Sequence, residues 1–204
     1  ASHKEMLWWG VNSGVVDVLG SDHAPHTREE KDHAYPGSHS GMTGVQTLVP
    51  IMLDHVNASR LTLERFVDMT SAGPNRLFGI ADKGRIAVGY DADFTVVDLK
   101  RTETIRNDWI ASKCGWTPYD GVKVKGWPVS TFVRGNAVVR DGAIVGKAPG
   151  QLGALGAEGV GDVLDEDEAE DQVLVLGRVH IGPELIGCGP EGFLDVIDHL
   201  ASLF

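Results

Sequence analysis

The chain has 204 residues, enough for one large domain or two modest ones, and its apolar fraction of 42% with five tryptophans suffices for a packed core. Mean hydropathy is near zero and no apolar run approaches about 18 residues, so no transmembrane helix is expected. The formal net charge of −11 excludes the basic face of a nucleic-acid binder. The acidic excess belongs to the tail, because Arg178 is the single base beyond Gly150 while residues 1–149 are nearly balanced. Cys114 and Cys188 lie far apart without CxxC spacing. Neither a disulfide framework nor a cysteine metal site is indicated, and a reducing cytoplasm is the default compartment. Ala1–Glu5 lacks the apolar core of a secretory signal. With no initiator Met and a helix-interior texture from Glu5 to Trp9, the chain reads as a piece of something longer.

In chain order, His3 to Trp9 with Gly10 and Gly14 reads as the end of a helix. It leads into the apolar run Val15-Val16-Asp17-Val18-Leu19, which is expected to be a buried strand. Gly20-Ser21-Asp22-His23-Ala24-Pro25-His26-Thr27 follows. An acid and two histidines at the end of a β-branched run is how a strand delivers ligands to the mouth of an α/β barrel. Pro25 stops the strand and holds both imidazoles near the carboxylate. Asp22 suits a metal ligand, a proton shuttle or both, and His26 suits an anion contact. The alternative at this level is an ordinary turn with Asp22 accepting backbone hydrogen bonds and the histidines exposed.

Thr27 to Gly44 is a polar loop of a length that often marks function. Val45, Leu48, Val49, Met52, Leu53 and Val56 then follow helical spacing, with Thr43 as the expected N-cap and Pro50 expected to kink or break the helix. A second helix is expected from Thr62, burying Leu63, Phe66, Val67 and Met69, and a short third from Pro74 to Gly79. The texture then changes to short strands over residues 84–89, 92–97, 129–133 and 137–139, with hairpin turns at Arg134-Gly135-Asn136-Ala137 and Asp141-Gly142. From Ala148 the chain is expected to be a glycine-rich linker, an acidic run from Asp162 to Asp171, a strand at Val173–Leu176 and a C-terminal amphipathic helix. Three units result: 1–79, 80–147 and a tail, 148–204. The five tryptophans (Trp8, Trp9, Trp109, Trp116, Trp127) are read as core or domain-interface residues, and Arg76 as a structural arginine.

Asp22-His23-Ala24-Pro25-His26-Thr27, followed by Ser40-Gly41-Met42-Thr43-Gly44-Val45-Gln46-Thr47, resembles the dihydroorotases of the amidohydrolase superfamily. Further blocks agree in the same order: Thr70 to Gly79, Lys83-Gly84-Arg85-Ile86 with Gly89-Tyr90-Asp91-Ala92-Asp93, and Lys125-Gly126-Trp127-Pro128-Val129 with Arg134-Gly135. The resemblance covers residues 1 to about 147. It implies an α/β fold: the C-terminal part of a (β/α)8 metal-dependent hydrolase barrel over 1–79, with Val15–Leu19 as its last strand, plus the C-terminal strands of a small β-sandwich. It implies zinc-dependent interconversion of dihydroorotate and N-carbamoyl-L-aspartate in pyrimidine synthesis.

By the same resemblance Asp22 would bind zinc and move a proton between the hydrolytic water and the ring nitrogen. His26 would pair with the substrate carboxylate, the Thr43-Gly44 backbone would contact the ring or its carboxylate, and His23 would support or pack behind the site. The small-molecule substrate would be the main partner, with a homo-oligomer or aspartate carbamoyltransferase as macromolecular partners, and no nucleic acid or membrane. Other cyclic amidohydrolases (allantoinase, dihydropyrimidinase) and a non-catalytic dihydroorotase-like subunit that scaffolds aspartate carbamoyltransferase are the alternatives. Two departures from the family pattern stand out. The chain holds no His-x-His strand or other histidine ligands, so its residues alone do not close a binuclear zinc site. Position 43, often Pro in the family, is Thr.

Overall fold

A computed structural model describes residues 2–145. The linker, acidic run, strand and helix expected beyond Ala148 lie outside the described residues. Helix α1 (His3–Ser13) starts at a capping box in which the Glu5 amide donates to Ser2 Oγ and the Ser2 amide to the Glu5 carboxylate. It runs past Trp9 and ends at Gly14, which takes the left-handed conformation. A single turn, α2 (Arg28–Lys31), interrupts the polar loop. Helix α3 (Val45–Asn57) is continuous through the buried Pro50 and does not break there. Helix α4 (Leu63–Val67) begins at Thr62 as anticipated, with the Thr62 hydroxyl accepting from the Arg65 amide, and continues into a π-helical turn over Asp68–Ala72. Helix α5 (Gly73–Phe78) carries Pro74 in its first turn and ends at Gly79, again left-handed.

Val15–Leu19 is not paired as a strand among the described residues. A strand exists only through a ladder to a neighbour, and here the backbone groups go elsewhere. The amides of Val15 and Val16 donate to the Gly10 carbonyl, and the Leu19 amide to that of Met69. Arg65 completes the anchorage by donating to the carbonyls of Val11 (2.8 Å) and Val16 and to the Asp68 carboxylate. Met52, Leu53, Leu61, Phe66 and Met69 form the core beneath this segment, with Val16 and Leu19 packed on its edge.

The remainder is an antiparallel meander in the order β1 (Phe94–Thr104), β2 (Lys123–Val133), β3 (Asn136–Arg140), β4 (Ala143–Ile144). Both expected hairpins are present. Arg134 and Gly135, and Asp141 and Gly142, have positive φ at both central positions, as the tight primed turn requires. Phe94 pairs with Phe132 in the β1–β2 register and their rings stack at 4.6 Å. The strand expected over 84–89 is absent: the segment is a loop in which Ile86 and Val88 are exposed. The Asp91 amide closes that loop on the Asp82 carbonyl, and Lys83 pairs with both Asp91 (2.7 Å) and Asp93. Burial opposes the Lys83 charge, yet the two carboxylates outweigh it and hold its pKa above the ordinary value, while Lys83 draws Asp91 below its own.

The two halves join where α3 lies on β2. Asp54 accepts from the Lys125 amide and Asn57 donates to the Lys125 carbonyl, each at 2.9 Å. Gly126 sits between them at φ 102°, where a Cβ would stand 2.6 Å from Leu53 Cβ. The β1–β2 connection, including a 3-10 turn at Asn107–Trp109, folds over this junction around buried Ile105, Val124 and Trp127. Of the other tryptophans, Trp8, Trp109 and Trp116 are half-buried, whereas Trp9, read as core or interface, is 59% exposed on α1.

Candidate active site at the Asp22–His26 turn

Two stretches distant in sequence lie side by side here. His23 and Met42 form a parallel bridge, and the Ala24 amide donates to the Met42 carbonyl at 3.1 Å. The approach is close enough to exclude side chains. A Cβ on Gly41 (φ 87°) would stand 2.4 Å from Ala24 Cβ, and one on Gly44 the same distance from the Ser21 carbonyl oxygen. The glycines of the Ser40–Thr47 stretch therefore seat the loop against the Asp22–His26 turn.

Asp22 is exposed and takes a left-handed backbone conformation (φ 48°), which aspartate tolerates better than most residues. Its carboxylate has no hydrogen-bond partner among the described residues, leaving both oxygens available for chemistry. His23 Nδ1 accepts from the Val45 amide at 3.3 Å, which gives α3 an N-terminal partner from outside the helix. That bond places the proton of the neutral ring on Nε2. The expectation for Thr43 changes accordingly. Gly44 occupies the N-cap position without a side-chain cap, and Thr43 is buried, its hydroxyl donating to the Trp116 carbonyl. A buried hydroxyl needs a partner, and the carbonyl 73 residues away supplies one that the helix start does not.

His26 is half-buried and stacked on His39, with ring centroids 4.6 Å apart and planes at 22°. Its Nδ1 lies 3.4 Å from the Glu30 carboxylate. Glu30 also closes a capping box with Thr27, accepting from the Thr27 amide at 2.8 Å. That amide holds the Glu30 carboxyl below its ordinary value; desolvation opposes it, and His26 adds to the lowering. Lys31 donates to the carbonyls of His39 and Gly41, so α2 fixes the return of the loop. Arg76 is structural as read, bidentate to Asp68 at 2.9 and 3.0 Å. The sequence reading missed Glu30, His39 and Trp116. The Thr27-x-x-Glu30 spacing is a legible capping signal, whereas nothing local points to the other two.

Among the described residues no group of three or more His, Cys, Asp or Glu stands close enough to hold a metal ion. Asp22 is a chemically suitable single ligand, so these residues do not by themselves make a zinc centre. Nor is any helix among them long and apolar enough to cross a membrane.

The Amidohydrolase family model matches residues 1–138. A dihydroorotase of Pyrococcus furiosus is 43% identical over 145 residues, covering 71% of this chain and 33% of that protein. One from Methanothermobacter thermautotrophicus is 42% identical over 130 residues, 64% of this chain and 30% of that protein. In three dimensions the chain is similar to an L-hydantoinase (dihydropyrimidinase) from Arthrobacter aurescens, with TM-score 0.65 and 38% identity, over 69% of this chain and 32% of that one. It is also similar to a D-hydantoinase (dihydropyrimidinase) from Thermus sp., with TM-score 0.62 and 33% identity, over 71% and 32%. The chain spans about a third of the length of the relatives it matches.

Proposed function

The chain belongs to the amidohydrolase family, and on that premise we propose that the protein carrying it is a cytoplasmic dihydroorotase, which hydrolyses dihydroorotate reversibly to N-carbamoyl-L-aspartate in pyrimidine synthesis. Residues 1–79 are assigned to the last strand position and closing helices of a (β/α)8 barrel, and 80–147 to the C-terminal strands of its companion β-sandwich. The observation that carries the reading is one turn that holds both an Asp22 carboxylate without a partner among the described residues and His26, which is paired with Glu30, in a chain about 40% identical to dihydroorotases.

Asp22 is proposed to contact zinc and to carry a proton between the attacking water and the ring nitrogen, because an amide nitrogen leaves poorly unless protonated. The metal, when bound, would acidify that water; its remaining ligands are not among the described residues. His26, beside an acidic partner and at the protein surface, is suited to the substrate carboxylate. Thr43 and Gly44 are buried, so their backbone is assigned the lesser part of lining the carboxylate end of the site. No observation favours the scaffold reading or a particular oligomer. The retained Asp22 and His26 speak for the enzyme.

The test is zinc-dependent interconversion of the two substrates by the intact protein, alongside hydantoin and dihydrouracil. Turnover of dihydroorotate, with His26→Ala raising KM about tenfold or more, supports the reading. Turnover of hydantoin or dihydrouracil in preference would replace it with another cyclic amidohydrolase.

A further inference from the structure

We infer that Trp116, on the β1–β2 connection of the sheet half, is a positioning residue for the candidate site: it ties the His26 turn to the Thr43 loop across the junction. The inference rests on the proposed role of His26 at the substrate carboxylate. Three contacts carry it. The indole Nε1–H donates to the His26 carbonyl at 2.8 Å. The Trp116 carbonyl accepts from the Thr43 hydroxyl. The Arg28 guanidinium, two residues beyond His26, lies over the ring at 6.0 Å from its centroid. One half-buried residue thus touches both arms of the site, and each arm is more than 70 residues away in sequence.

The strut is rigid where it needs to be. Its base is the pair of backbone bonds from Ile105 to Val122 and from Gly121 to Ile105, each 2.9 Å, with Ile105 fully buried. Inside that closure the Asn107 side chain accepts from the Thr117 amide and Asp120 accepts from the Asn107 amide, both at 2.8 Å. Thr117, adjacent to Trp116, is itself buried. The indole is therefore presented by a braced loop, and the position of the His26 backbone follows from it. A ring that must meet a carboxylate within hydrogen-bond distance depends on that backbone.

The second tie across the same junction provides a control. Gln46 donates to the Trp109 carbonyl and accepts from the Ala111 amide, both at 2.8 Å, and neither bond involves His26 or Thr43. If Trp116 merely held two halves together, loss of Gln46 would have the same kinetic effect.

The experiment compares Trp116→Phe, Gln46→Ala and His26→Ala in the intact protein. KM and kcat for dihydroorotate are read separately, alongside the thermal midpoint. The expected result is a rise in KM of about fivefold to tenfold for Trp116→Phe with kcat within about twofold, a larger rise for His26→Ala, and an unmoved KM for Gln46→Ala. A KM for Trp116→Phe within twofold of the parent, while His26→Ala raises it, overturns the positioning role and leaves the function reading intact. Equal rises for Trp116→Phe and Gln46→Ala also overturn it. No rise for His26→Ala overturns the reading beneath it and the inference together. Should Trp116→Phe fail to fold, 3-benzothienylalanine at position 116 removes the N–H donor while keeping the bicyclic shape, and the same outcomes apply.

Discussion

The helical half and the sheet half of this chain are held together by different physics. The meander from Phe94 to Ile144 pairs only strands adjacent in sequence, β2 to β4 through two-residue turns and β1 to β2 across the longer connection over residues 105–122. The helical half relies on distant partners: Arg65 reaches Val11 and Val16, Leu19 bonds to Met69, and His23 partners Val45. It also leaves Met6, Leu7, Trp9 and Val15 largely exposed. The chemistry-bearing side chains sit in the half with non-local support, and the sheet half supplies the rigid frame that reaches over to them. A scaffold can be written locally, whereas a site that gathers groups from several segments cannot.

Substitutions should separate the two halves. Asp22→Ala, in an exposed turn, should lower turnover by about 100-fold or more while lowering the thermal midpoint only slightly, the cost of alanine at a positive φ. Substantial activity in steady-state assays would detach the chemistry from the helical half. Trp127→Ala, in the buried sheet-side core, should cost about 3–5 kcal/mol in denaturant unfolding and alter kinetics only through stability. At the junction, Gly126→Ala should cost about 2 kcal/mol or more, combining a strained φ with a Cβ driven onto Leu53. A neutral result would mean the halves are not pressed together there.

The smallest effects concern pH. His55, edge-on to Trp8 on the helical side, has its pKa lowered first by burial and then by Arg60. Its contribution to stability is therefore complete above its ordinary value of 6.5 and is lost as pH falls through the lower folded value. Asp91, lowered by Lys83, contributes fully above 3.8 and loses its share only on further acidification. Lys83, raised, keeps its share below 10.5 and loses it in stronger alkali. Midpoints measured from pH 7 to 5 should fall slightly, and His55→Gln should remove that slope. Lys83→Met should leave it in place while removing the declines at both extremes. Identical pH curves for the two variants would contradict the division.

Much of the scaffold was legible from sequence. Thr62, Pro74 and Gly79 mark helix ends through capping and backbone preference, and Arg134-Gly135 and Asp141-Gly142 mark hairpins through their need for positive φ. The misreadings share one cause. Val15–Leu19 and Gly84–Gly89 have strand texture, but a strand also needs a partner, and here their surroundings supply loop bonds instead. Thr43 has the chemistry of an N-cap, yet its hydroxyl is taken by Trp116.

By itself the sequence determined most helix ends, the hairpin turns and the candidate residues Asp22 and His26, because those follow from local backbone preference and from side-chain chemistry. Only the tertiary structure decided that His39 stacks on His26, that Glu30 faces its Nδ1, and that Trp116 bridges His26 to Thr43. Such contacts depend on which distant segments the packed core brings within hydrogen-bond distance, and no local pattern encodes that distance.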